Sequence, residues 1–127
     1  MNKPLRRTPM RRKSKKRAAR EASPEGREDA EYLRKVRALP CCICTNFGMI
    51  QTSPTDAHHT KSGRHGKERT PDRQAIPLCK CHHQGLRFDR DKSKHAFHQG
   101  QATWEALYGP DTDYIAATQD AIERMDL

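Results

Sequence analysis

The chain has 127 residues and a formal net charge of +9, and Leu, Ile, Val and Phe together supply only 16 residues, about 13%. That share lies below the ~20% under which a highly charged chain is expected to stay disordered. No apolar run reaches even the seven residues a signal peptide needs, far short of the roughly eighteen of a membrane span. Composition therefore argues against a secreted protein, a membrane protein and a domain held by a large apolar core. What remains is one small domain in the cytoplasm that needs a staple, and a structural metal supplies one because ligand binding energy becomes folding energy.

The charge is unevenly placed. Residues 1–20 carry ten Lys and Arg and no acid, so the rest of the chain is close to neutral. Met1–Arg20, with Pro4, Pro9 and the clusters Arg6-Arg7, Arg11-Arg12-Lys13 and Lys15-Lys16-Arg17, has no aliphatic periodicity and reads as a disordered cationic arm. Such an arm binds polyanions: each phosphate it neutralises on DNA releases counterions, which gives sequence-blind, salt-sensitive affinity. The plainer alternative is a solubilising tail. We place the boundary of the arm at residue 27 and the folded domain at 28–127.

From about Asp29 to Leu39, Tyr32, Leu33, Val36 and Leu39 recur at helical spacing between charged residues, and Pro40 stops the helix at Cys41. Cys41-x-x-Cys44 reads as a turn that points two thiolates at one ion. Thr45–Thr55 reads as a loop leading into a strand, with His58 and His59 at its end. Side chains alternate along a strand, so those two histidines point to opposite sides and are not expected to share a task. Lys61–Arg73 contains Gly63, Gly66 and Pro71 with five basic residues against two acids, a loop suited to backbone phosphate. His65 within it reads as solvated. Gln74–Leu78 reads as a second strand in which Pro77 is tolerable at an edge, and Cys79–Leu86 as a helix that brings Cys79, His82 and His83 within a turn. After residue 95 six acids stand against Arg124 alone. Ala102–Tyr108 is expected to be a helix offering Trp104 and Leu107 to the core. Asp111 is expected to N-cap a last helix facing inward through Ile115, Ile122 and Met125.

Five cysteines is an odd number, and their clustering favours metal ligation over disulfides in a reducing compartment. Cys41, Cys44, Cys79 and His82 make a closed tetrahedral set of the type that holds structural Zn2+. Cys81 is an alternative to Cys79, and Cys42 reads as a buried bystander. His58, His59, His83 and a later histidine form an oxygen-free group suited to a divalent ion with open positions.

Taken together, Tyr32-Leu33-Arg34, Pro40-Cys41-Cys42-Ile43-Cys44, Asp56-Ala57-His58-His59, Ile76-Pro77-Leu78-Cys79 with His82-His83, and Trp104-Glu105-Ala106-Leu107-Tyr108-Gly109 resemble the HNH (ββα-metal) nucleases. Within them the likeness is to the phage and prophage group that includes the recombination enhancement function family, and it covers about residues 30–109. The resemblance implies an α+β fold: a small zinc-stapled ββα-metal domain with flanking helices and the basic arm. It further implies His58 and His83 as ligands of a catalytic Mg2+ or other divalent ion and His59 as general base. Gln74 stands where the family usually has the asparagine that orients the base, and Asp72 matches an acidic position common in the phage group. The family's third metal histidine would fall at Arg87, which cannot ligate. His98 stands before Trp104 as the family's last histidine stands before its aromatic, so residues 87–97 read as an insertion and His98 as the third ligand, with His95 as fallback.

The function this implies is metal-dependent hydrolysis of DNA phosphodiester bonds in phage or prophage recombination or DNA processing, in the cytoplasm of a bacterial host, at the nucleoid. Lys61, Arg64 and Lys67, with Arg11, Arg12 and Lys13 of the arm, would hold the phosphate backbone. Two rivals remain. One is a non-catalytic zinc module that binds nucleic acid, and the other is an accessory protein whose acidic C-terminal helices dock on a recombinase or replication protein.

Overall fold

A computed structural model describes residues 13–63, 70–85 and 94–125. Their architecture is α+β: six α-helices, three 3-10 turns and one two-stranded antiparallel sheet. The helices are α1 (Lys15–Ala22), α2 (Pro24–Ala38), α3 (Cys42–Asn46), α4 (Lys80–His83), α5 (Gln101–Tyr108) and α6 (Ile115–Met125), and the strands are β1 (Thr55–His58) and β2 (Ile76–Cys79). Among the described residues no helix is long and apolar enough to cross a membrane.

The stretch of the arm from Lys15 onward is helical, where the absence of periodicity suggested no structure. Its helix is held by polar devices: Ser14 Oγ accepts the Arg17 amide at the N-cap, and Lys13 and Arg17 both pair with Glu21, at 2.6 and 3.2 Å. No residue of α1 is buried, which is why no apolar stripe marks it. Ser23 then caps α2 by accepting the Gly26 amide, with Pro24 in the first turn, so α2 begins upstream of the expected Asp29. Gly26 is required by the close passage of α1: a Cβ there would meet the Arg20 carbonyl oxygen at 2.1 Å.

Val36 is the fully buried residue of α2, and this helix lies against β1 and the 3-10 turn Asp72–Gln74. Arg73 in that turn reaches back to Glu28 and Asp29, at 2.9 and 3.3 Å. Cys41 opens α3, a single helical turn in place of the expected plain turn, and its amide is held by Gln51 Oε1 at 2.8 Å. Gln51 also donates to the Ser53 carbonyl and to Thr55 Oγ1, tying the approach to β1.

β1 and β2 pair in the register Thr55↔Cys79 through His58↔Ile76. Both strands are edges, so Pro77 costs no ladder bond that a third strand would need. β2 is buried at every position and runs into α4 without a gap. The core around it contains Ile43, Ile76, Leu78, Phe97 and Trp104. Phe97, Trp104 and Tyr108 stack edge to face, with centroids 5.3 and 5.2 Å apart.

In the C-terminal part three expectations are corrected. Tyr108, four residues after Trp104, takes the inward place expected of Leu107, which is 54% exposed. Met125 is 46% exposed, and of the expected inward residues of α6 only Ile122 is fully buried. Asp111 does not cap α6: it opens the 3-10 turn Asp111–Tyr114, and its buried carboxylate points elsewhere. Local sequence favours capping, but here a distant cluster of donors outcompetes it.

Candidate metal centres

Cys41, Cys44, Cys79 and His82 converge from the start of α3, the end of β2 and α4, and all four are buried. His82 Nδ1 lies 3.2 Å from Cys79 Sγ and 3.6 Å from the sulfurs of both Cys41 and Cys44, and Cys44 and Cys79 are 3.9 Å apart. A tetrahedral zinc with bonds of ~2.3 Å to sulfur and ~2.0 Å to nitrogen has edges of about 3.8 Å between sulfurs and about 3.5 Å between sulfur and nitrogen. The donor set and its spacing thus fit zinc. Burial pushes the Cys44 thiol up to about 11, and Cys79 is raised by its hydrogen bond to Cys41, whose own thiol is lowered by the same contact.

Cys81 is outside this cluster. Its sulfur accepts from Ser53 Oγ at 3.3 Å and its amide donates to the same oxygen, so the alternative to Cys79 is not realised. Cys42 is half-buried and its thiol is pushed up by burial, in keeping with a bystander.

The second group is His58, His83 and His98, whose ligand atoms lie within 4.8 Å of one another. His58 ends β1 and is buried, His83 closes α4 at 9% exposure, and His98 is the exposed member on the 3-10 turn Phe97–Gln99. The Nε2 atoms of His83 and His98 are 3.2 Å apart, the spacing of two imidazoles on one ion at ~2.0–2.1 Å. Burial lowers the pKa of both His83 and His98, which keeps their lone pairs free. Three imidazoles without a carboxylate suit zinc, nickel or a similar transition ion better than Mg2+, which prefers oxygen, so the donor set argues against the Mg2+ expected from the resemblance. His95, the fallback ligand, is not in the group, and its Nε2 is buried without a hydrogen-bond partner among the described residues.

Each of the two inner histidines is backed by a carboxylate. Asp56 Oδ2 accepts from His83 Nδ1 at 3.2 Å, and Asp111 Oδ2 accepts from His58 Nε2 at 2.9 Å. Lys80 braces Asp56 from the other side at 3.2 Å. Asp111 also takes the amides of Lys61 and Ser62, at 2.7 and 2.9 Å. Burial alone would raise its carboxyl, but the hydrogen bonds from His58, Ser62 and the two amides outweigh it and hold the pKa at about 2.

His59, the next residue along, turns the other way. Its Nε2 lies 2.8 Å from Asp72 Oδ1, and its side chain is 32% exposed. Asp72 and Gln74, the residue expected to orient His59, stand at opposite ends of the same 3-10 turn, and the contact to His59 Nε2 comes from Asp72. Of the residues expected to touch DNA, Lys61 is exposed and Lys13 pairs with Glu21, while Arg11, Arg12, Arg64 and Lys67 lie outside the described residues, as does His65.

Two sites therefore flank one aromatic row. Phe97 packs on His58 with centroids 4.5 Å apart, Tyr108 packs on His82 at 5.3 Å, and Trp104 between them donates Nε1–H to the His82 carbonyl. The residues that reading the sequence missed are Asp111 and the partnership of Asp56 with His83. Asp56 was open to discovery, since it faces the same way as His58 on β1; Asp111 lies 53 residues from its partner and left no local sign. Compared with family models, curated proteins and solved structures, the chain matches none.

Proposed function

We propose that this protein is a metal-dependent endonuclease of the HNH (ββα-metal) kind that hydrolyses DNA phosphodiester bonds. The observation that carries the reading is a three-imidazole cluster set apart from a complete Cys3His cluster, with a carboxylate-held histidine next to one of its members. A zinc staple alone would leave His58, His83, His98, His59 and Asp72 without a task. The strand-strand-helix order, in which β2 runs directly into the helix carrying His83, supports the same reading.

In this scheme the His59 Nε2–H donates to Asp72, which leaves the Nδ1 lone pair to accept a proton from water as that water attacks phosphorus in line with the leaving 3′ oxygen. Asp72 fixes the ring and its tautomer and stabilises the imidazolium that forms, as a buried carboxylate does for other catalytic histidines. A divalent ion bound by His58, His83 and His98 would supply Lewis-acid stabilisation of the charge developing on the phosphate. Lys61 and the basic arm, including Lys15, Lys16 and Arg20 exposed on α1, hold the backbone without reading bases. The products are a 5′ phosphate and a 3′ hydroxyl. DNA is the partner, the bacterial cytoplasm the setting, and phage or prophage recombination the process, in which a recombinase or replication protein would work alongside.

The test is nicking of supercoiled plasmid by the purified protein across added Zn2+, Ni2+, Mn2+ and Mg2+. His59→Ala is expected to lower the rate by on the order of 10²–10⁴-fold with the zinc content and circular dichroism unchanged. A wild-type protein that binds DNA and one tight zinc but cuts under none of these ions would instead leave the zinc-stapled nucleic-acid binder.

A further inference from the structure

We infer that Asp111 is the positioning residue of the three-histidine centre, holding His58 in the Nε2–H tautomer so that it presents Nδ1 to an ion, while Asp56 holds His83 in the opposite tautomer so that it presents Nε2. The inference rests on reading His58, His83 and His98 as a metal site, and it says which atom of each ring does the work.

A neutral imidazole has one N–H and one lone pair, and the partner of the N–H decides which nitrogen is left to ligate. At His58 the Nε2 side is taken by Asp111 Oδ2 at 2.9 Å, in a contact where both side chains are 2% exposed or less. At His83 the Nδ1 side is taken by Asp56 Oδ2 at 3.2 Å, and its Nε2 faces His98 Nε2, also at 3.2 Å. Asp111 is not within reach of all three histidines as a ligand, so its carboxylate stands behind His58 and not among the donors. Nor can it swing away: Lys61 and Ser62 amides hold its two oxygens, its own amide donates to Ser62 Oγ, and that hydroxyl donates to Glu105. One buried carboxylate from the C-terminal segment thereby orients a ligand at the end of β1 and pins the start of the basic loop that follows it. Carboxylates placed behind metal histidines in this way commonly change metal affinity by about 10–100-fold.

The test uses the full chain with zinc at the Cys3His cluster, labelled with 15N at its histidines. Long-range proton–nitrogen spectra of the wild-type protein are expected to show His58 protonated at Nε2 and His83 protonated at Nδ1. Added 113Cd2+ is expected to couple to Nδ1 of His58 and to Nε2 of His83. In Asp111→Asn the His58 tautomer is expected to become mixed and Cd2+ affinity at the three-histidine centre to fall about 10–100-fold, with Cys3His occupancy unchanged. A residue that merely supports the fold would alter thermal stability and leave the His58 tautomer alone. Cadmium bound through His58 Nε2, a wild-type His58 protonated at Nδ1, or wild-type behaviour in Asp111→Asn overturns the inference while leaving the metal site in place. Failure of any second ion to bind overturns the metal site itself. Should Asp111→Asn not fold, the wild-type spectra decide the tautomers, and Asp56→Asn tests the same logic at His83.

Discussion

At the scale of single residues, the adjacent pair His58-His59 divides into two environments: one ring is buried against Asp111, the other is partly open and held by Asp72. Alternation along β1 makes that split legible in the sequence, because neighbours on a strand face opposite sides. The identity of the residue behind His59 was less legible. Gln74 and Asp72 sit on one 3-10 turn, and only the path of the chain decides which end meets the imidazole. A carboxylate there offsets the imidazolium charge that an amide cannot. Under the proposed nuclease reading, Asp72→Asn is expected to lower nicking on the order of 10²-fold in single-turnover assays at saturating metal.

At the scale of elements, the aromatic row Phe97, Trp104 and Tyr108 packs between the two centres. Trp104 is fully buried and hydrogen-bonded to the backbone of α4, so Trp104→Ala removes both packing and a held carbonyl partner. The expected cost is about 3–5 kcal/mol, read as a lowered denaturation midpoint together with weaker binding of ions at both centres. The same aromatic anchored the sequence reading: counting back from Trp104 pointed to His98 and not His95, and the structure brings His98 to His58 and His83. Leu107 and α1 mark the limits of such reading. The first is a good core residue on the wrong face of a short helix, and the second is a helix with no core face at all.

At the scale of the whole molecule, the composition calls for a staple, and the buried Cys3His cluster is where one fits. Zinc binding in comparable small domains contributes roughly 10–16 kcal/mol, against a net stability of about 5–15 kcal/mol for an ordinary domain. With zinc as the staple, its removal is expected to unfold the chain, with loss of the near-ultraviolet signal of its single Trp104 and restoration on re-addition. The pH dependence has a definite sign. Burial and the neighbouring sulfur hold the Cys44 and Cys79 thiols above the usual thiol range, whereas thiols that ligate zinc would be ionised. Protons must leave as zinc binds, the zinc-dependent stability is present at higher pH, and it is lost as pH falls. A chelator should accordingly strip and unfold the protein faster at pH 6 than at pH 8, and zinc uptake at pH 7 should acidify a weakly buffered indicator solution.

His82 and His83 are consecutive residues of a one-turn helix, yet the first turns to the sulfurs and the second to the imidazoles. Successive helical positions diverge by about 100°, and that divergence is the whole angular tolerance available. A one-residue insertion between Lys80 and His82 would swing both rings out of place together, whereas replacing His83 alone spares the thiolate cage. The two centres are thus separable in one direction only: the Cys3His set can stand without His83, while any change that displaces His82 disturbs both.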